Sequence, residues 1–438
     1  MDTSADATLA DAMLRELRER VKAAHQERRP LCLRGAGTKD FYGENASAGA
    51  TLTASDPINA LGSSLGGPTV NSTTPDGSRV EGRGPAPTLL DLRPYRGIVD
   101  YEPSELVITA RCGTPLSEIE AALADRGQFL AFEPPSFGGD PTIGGVIAAG
   151  LSGPRRMYAG AARDFVLGAT LLDARGQTLR FGGQVMKNVA GFDVSRLQSG
   201  SLGILGIITE VSLKILPRPR AEETLRFEMP AREAVESFNR WSGQPLPLSG
   251  AAWCAGVAWI RLSGAASAVR AAHERLGGER VDPAEATKWW DALRHCTHPI
   301  FNSTALWRLS VPDTTPPLDL PGEPLIDWGG ALRWYADLSD NAPTSLNDSA
   351  PASGTTDIRS DRATPASTTS RRPTDSRQAN PRQIASAANG TALCWRGTPP
   401  TEGRFHPLQP EVAMLHRRLK DRFDPHGIFN PGRLLAGL

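Results

Sequence analysis

The sequence predicts an α+β fold, one large unit followed by a smaller one. Three observations carry this. Helix-periodic and strand-like segments are mixed along 438 residues, a length that suits two or three domains. A glycine-rich run at 141–216 sets Gly144-Gly145, Gly150, Gly153, Gly160, Gly200, Gly203 and Gly206 between short apolar segments. A third stretch, 339–391, contains no Phe, Trp or Tyr and separates two ordered parts.

The elements follow in order. Over 8–28, Leu9, Met13, Leu17 and Val21 recur every four residues, an amphipathic helix. Residues 31–38 read as a short buried strand running into a glycine turn. Residues 57–80, rich in Gly, Ser, Thr and Pro, read as a loop insertion. A hairpin is expected over 98–112. Thr114 as N-cap and Pro115 at the first helical position then start a helix with Leu116, Ile119 and Leu123 inward and Gly127 at its end. Asp193 caps a helix over 194–199, with Gly200 just past its end. Over 203–216, Val211, Leu213 and Ile215 face one way and Ser212 and Lys214 the other. The segment 221–338 is Trp-rich α+β material. Residues 339–391 bury too little apolar surface to offset chain entropy and read as a disordered insertion. A last helix spans 410–423, with Val412, Leu415, Leu419 and Phe423 on one stripe. The units are thus 1–220, 221–338, the insertion 339–391, and a helical tail 392–438.

Bulk properties exclude several classes. The 48 Lys and Arg cancel the 48 Asp and Glu, so no basic footprint for nucleic acid exists. No apolar run reaches the ~18 residues of a membrane span. The N-terminus lacks the layout of a signal peptide, which implies a cytoplasmic protein. Five scattered cysteines form no CxxC pair, which argues against iron–sulfur clusters and zinc knuckles and for reduced thiols.

Four motifs carry chemistry. Arg34-Gly35-Ala36-Gly37-Thr38-Lys39 offers a concave turn of N–H groups with a hydroxyl and cations, suited to a pyrophosphate; a plain β-turn reads it about as well. It is neither a Rossmann fingerprint nor a Walker A loop. Pro135, then Thr142-Ile143-Gly144-Gly145, Ala149, Gly153 and Gly160, place small residues where a flat ligand could lie against the backbone; the bland alternative is a helix start packed on a sheet. The run from Lys187 through Asp193 to Gly206-Ile207 combines caps with a further ligand contact. The tail Asp424-Pro425-His426-Gly427-Ile428-Phe429-Asn430-Pro431-Gly432-Arg433 is turn-rich and rigid.

Together these motifs resemble the flavoenzymes that bind FAD through a PCMH-type (vanillyl-alcohol-oxidase-like) domain. The branch is that of D-lactate and glycolate dehydrogenases, and within it the FAD-binding E subunits of bacterial glycolate oxidase. GIVDYEPSELVITARCGTPLSEIE at 97–120, Thr297-His298-Pro299 and Trp328-Gly329-Gly330 with Arg333-Trp334 support the likeness, which covers about 8–338 and 393–438. It implies a PCMH-type domain of two α+β subdomains clamping an extended FAD, with a smaller α+β cap and a helical tail. Arg34 to Lys39 would take the pyrophosphate. Pro135, Thr142, Ile143, Gly144, Gly145, Ala149, Gly153, Gly160, Gly206 and Ile207 would surround the rest. Gly37 and Thr38 stand where several relatives carry a flavin-linked His, which implies non-covalent FAD.

The implied chemistry is oxidation of a 2-hydroxy acid such as glycolate, with hydride passing to the flavin and a base taking the hydroxyl proton. His298 is the candidate base; Arg308 and Arg333 are candidate carboxylate clamps. His298 beside Pro299 is more often a structural histidine, and both arginines read equally as solvent-facing strand residues. His295 and His298 are three apart, but no acidic partner is near, and no metal is expected. The resemblance implies a complex with a catalytic D-type flavoprotein and an iron–sulfur subunit, cytoplasmic or peripheral on the inner membrane through those partners. A non-catalytic, electron-relaying flavoprotein subunit is the alternative. A stand-alone sugar or lactone oxidase fits less well, since the histidine for covalent flavin is absent.

Overall fold

A computed structural model describes residues 3–44, 87–183, 193–336 and 380–435. The expected elements at 57–80, at Lys187 and over 337–379 lie outside the described residues.

The first unit begins with the helix Thr3–Glu27, which covers a parallel strand pair, Leu31–Arg34 with Thr88–Asp91. Ala10, Leu17, Val21 and Ala24 are buried there with Leu31, Leu33 and Leu90. Leu9, expected inward, is 61% exposed. An α-helix turns every 3.6 residues, so a strict four-residue row rotates about 40° per step and has left the buried face by Leu9.

The next sheet is antiparallel, in the order 98–102, 107–111, 207–214, 166–172, 178–182. Val211 and Leu213 point into a core with Ile108, Ile119, Leu123, Ile143 and Ile147, as their alternation requires. Ser212 faces the other way, where its hydroxyl meets that of Thr109 at 2.8 Å. The helix Leu116–Ala124 starts one residue later than its Thr-Pro signal implies, with Pro115 at the N-cap. The Thr114 hydroxyl instead donates to the Arg111 carbonyl at 2.7 Å and accepts the Gly97 N–H at 2.9 Å, tying the hairpin to the helix. Asp193 caps a shorter helix than expected, Val194–Leu197.

The second unit is built on eight antiparallel strands in the order 279–280, 221–228, 257–264, 248–254, 325–327, 332–336, 306–310, 391–396. The last of these corrects two expectations. Strand Thr391–Arg396 belongs to this sheet, where the sequence predicts only a helical tail over 392–438. It follows a helix, Pro381–Ala387, inside the stretch expected to lack order. That helix has a strong start: the Asn380 side chain accepts the Arg382 and Gln383 N–H groups, and Pro381 follows it. Ala385 and Ala392 bury small side chains against Trp307, Leu309 and Tyr335. Polar composition hid a segment whose core contacts come from alanines.

The helix Pro410–Phe423 returns to the first unit. Leu419 and Phe423 pack on its core, whereas Val412 and Leu415 face out, at 41% and 54% exposure. Its anchor is a buried charge. Lys420 donates to the Ile204 and Phe429 carbonyls at 2.7 and 2.8 Å and to Asp424 at 2.7 Å.

Candidate functional site

A groove opens between the 31–40 segment, the helix Ile143–Ala149, the 202–208 turn and the C-terminal tail. It gathers Arg34, Gly35, Ala36, Gly37, Thr38, Lys39, Thr142, Gly144, Gly145, Ala149, Gly206 and Ile207, twelve of the sequence-derived candidates.

The strand at Leu31–Arg34 ends at Gly35, where the chain passes so close to Thr142 that a Cβ would lie 2.2 Å from its hydroxyl. Gly37 has φ +77°, and Arg34 folds back over it. Arg34 pairs with Asp40 at 2.6 Å, yet its buried Nε lacks a hydrogen-bond partner. Lys39 is 7% exposed, and the Thr38 hydroxyl at 3.3 Å is its hydrogen-bond partner. Burial pulls its ammonium down to about 8. No carboxylate among the described residues pairs with it. A buried cation left without an anion and an orphaned guanidine N–H suit a diphosphate.

The two glycines of the helix start differ. A Cβ on Gly144 would lie 2.6 Å from Cys112 Cβ, so its smallness is spent on packing. A Cβ on Gly145 would meet the Thr142 hydroxyl alone, at 3.3 Å, and would otherwise project into the groove. The packed helix start and the ligand wall are therefore both present. Ile143 is fully buried in the core behind the groove and does not line it.

Beyond Ala149 the wall continues into a small cavity between the two units. Pro135 and Gly153 line it, with Phe137, Cys296, Arg308, Asp327 and Trp328. Gly153 is pressed on Glu133, where a Cβ would lie 2.8 Å from its Cβ and carbonyl. Gly160 lines neither space; with φ +107° it terminates the helix Arg156–Ala159.

The candidate catalytic residues separate. Arg308 lies over the rings of Trp328 and Trp334, at 5.0 and 5.8 Å, and neither ion pair nor hydrogen bond engages its guanidinium among the described residues. Burial pulls it down, opposed by Tyr42, Cys296 and Asp327. Arg333 is a correction. It is wholly buried, and its guanidinium donates to the Gly330, Pro316 and Thr315 carbonyls, so it clamps a loop and leaves nothing for a ligand. His298 is also displaced. Its Nδ1 caps the turn Pro299–Asn302, and its ring stands edge-on to Trp289, outside the cavity. His295 lies nearer, with Nδ1 held by the Ser136 N–H and hydroxyl at 3.2 and 2.8 Å.

Sequence reasoning missed Asp327 and Asn430. Asp327 is 4% exposed, and burial pushes its carboxyl up to about 7. An acid inside the apolar run Leu325-Ile326-Asp327-Trp328 was the available signal. Asn430 lines the groove from the far end of the chain. Among the described residues no group of three His, Cys, Asp or Glu could hold a metal, and no helix is long and apolar enough to cross a membrane.

Residues 72–182 match the family model described as an FAD binding domain. Fold, groove and this match define an FAD-binding flavoprotein. The chain is 45% identical over 350 residues to glycolate oxidase subunit GlcE of Escherichia coli strain K12, covering 80% of this chain and 87% of that one. It belongs to that family. Over 128 residues it is also 36% identical to glycolate oxidase subunit GlcD of Bacillus subtilis strain 168, covering 29% of this chain and 27% of that one. Two solved structures of alkyldihydroxyacetonephosphate synthase share the fold, with TM-scores of 0.50 and 0.55 at 15% and 14% identity, covering 95% of this chain and 74% of theirs.

Proposed function

We propose that this chain is the FAD-bearing subunit of a glycolate oxidase and holds its own 2-hydroxy-acid site at the end of the FAD groove. FAD, when bound, supplies the two-electron acceptor. Lys39 and the 35–38 turn would hold its diphosphate, and Gly145 would leave room for it beside the helix. The link would be non-covalent. Cys112 and Cys296 face the groove and the cavity, but burial pushes both thiols up to about 12, so neither offers a thiolate.

The observation that carries the substrate reading is Arg308. A guanidinium set over two indoles, with no hydrogen bond or ion pair among the described residues, is suited to receive a carboxylate. Phe137, Phe301, Trp334 and Trp395 give the cavity an aromatic wall. The partners would be a D-type flavoprotein subunit and an iron–sulfur subunit that takes the electrons onward.

The test is anaerobic addition of glycolate to the purified, FAD-loaded chain. Loss of the flavin band near ~450 nm, abolished in Arg308→Gln, is expected. A bound flavin that stays oxidised until a D-type subunit is added would make this chain an accessory electron relay.

A further inference from the structure

We propose that Asp327 is the catalytic residue that accepts the substrate's hydroxyl proton, an inference that rests on the Arg308 substrate site. Asp327 ends the strand Leu325–Asp327 and lines the same cavity as Arg308. The chain bends sharply behind it: Trp328 has φ +53°, and its N–H donates to Asp327 Oδ1 at 2.7 Å. That single bond fixes the carboxyl and leaves Oδ2 without a hydrogen bond among the described residues. A carboxylate this deeply buried ordinarily gathers several donors or a bonded cation.

The neighbouring charges do not supply them. Arg261 is committed to Glu133 at 2.9 Å and to the Ser249 carbonyl at 3.2 Å. Glu133 is in turn engaged by Arg155 at 2.9 Å. Arg308 acts on Asp327 through its charge without a bond to it. The histidines are placed elsewhere: His298 faces Trp289, and His295 accepts on Nδ1 from Ser136. A carboxylate oxygen and a guanidinium that no hydrogen bond engages among the described residues, in one cavity, match the two ends of a 2-hydroxy acid.

With the substrate carboxylate on Arg308, the hydroxyl O–H breaks and its proton passes to Asp327 Oδ2. FAD, when bound, would supply the acceptor for the Cα–H as hydride, so that the C–O bond becomes the carbonyl of a 2-oxo acid. A proton acceptor titrating near neutrality suits this role.

The experiment measures binding, without turnover. The FAD-loaded full chain is titrated with 2-hydroxyisobutyrate, which carries hydroxyl and carboxylate but no transferable hydride, and with isobutyrate, which lacks the hydroxyl. Perturbation of the flavin spectrum gives each Kd. The wild type should prefer the hydroxy acid by about tenfold, the worth of one charge-assisted hydrogen bond. Asp327→Asn should collapse that ratio to below about threefold while isobutyrate still binds. Arg308→Lys should weaken both acids together. Asp327→Ala is read the same way if the amide variant does not fold. An unchanged ratio in the Asp327 variants, or an equal loss for both acids, overturns the proposal. If neither acid perturbs the wild-type flavin, the Arg308 site itself is wrong, and this inference goes with it.

Discussion

The side-chain carbonyl of Asn430 accepts the backbone N–H of Leu33, 397 residues earlier, at 2.7 Å. The same amide donates to the Leu202 carbonyl at 2.8 Å. One residue of the tail thus fixes the strand that enters the 35–39 turn and the 202–206 turn opposite. Parallel bridging of Leu31 to Phe429 and bonds from Leu31 N–H to the Ile428 carbonyl and from Asn430 N–H to the Leu31 carbonyl extend the seam.

Asn430→Ala should therefore damage both stability and FAD binding. Two buried groups lose partners, at about 1–3 kcal/mol each. Thermal melting should fall by several degrees, and the FAD Kd from fluorescence quenching should rise at least tenfold. An unchanged Kd would mean that the tail does not position the groove.

The glycine pair separates packing from ligand contact. Gly144→Ala should destabilise the protein by about 1–3 kcal/mol through the clash with Cys112. Gly145→Leu should leave the melting temperature within a few degrees of wild type and abolish FAD retention, because its side chain would fill the groove. Melting curves and flavin content of the two variants check this directly.

Lys39 makes FAD affinity depend on pH. Its folded-state value is lowered to about 8, so the ammonium is present below that pH and lost above it. FAD affinity should weaken as pH rises through about 8, and Lys39→Arg should flatten the curve between pH 7 and 9. Fluorescence titrations at several pH values read the slope.

Asp327 makes stability depend on pH in the opposite sense to an ordinary paired carboxylate. Its folded-state value of about 7 lies above the ordinary 3.8, so the fold favours the protonated form. Burial and, less strongly, Glu133 press it up, while the Trp328 N–H, Arg261 and Arg308 press it down; its charge also reaches Tyr158. Ionisation therefore costs stability progressively from about pH 4 to pH 7, reaching up to about 4 kcal/mol above that. Asp327→Asn should match the wild type near pH 4 and exceed it above pH 7 in denaturant melts. Equal stability differences at both pH values would contradict the buried-acid description.

Much of this was legible in the sequence. The glycine turn at 35–37, the apolar alternation at 211–215 and the Pro and Asn caps are local signals, and local signals survive without the fold. Thr142, Gly145 and Lys39 came to the groove for that reason. What failed depended on distant contacts. Arg333 reads like Arg308 along the chain, each a cation between apolar strand residues; only the 315–330 loop wrapped over Arg333 distinguishes them. His298 carried a chemical prior that its cap to Ile300 removes. Asp327 was hidden because an acid before Trp-Gly-Gly looks like turn chemistry until both units close around it. Asn430 could not be found locally, since both its partners lie more than 200 positions away.

The most direct measurement is a crystal structure of the FAD-loaded chain. The diphosphate is expected against the 35–39 turn within reach of Lys39, and the isoalloxazine at the cavity that Arg308 and Asp327 line. A dinucleotide bound elsewhere, such as the charged cavity lined by Glu133, Arg155, Arg218 and Arg261, or a flavin ring turned away from Arg308, would contradict it.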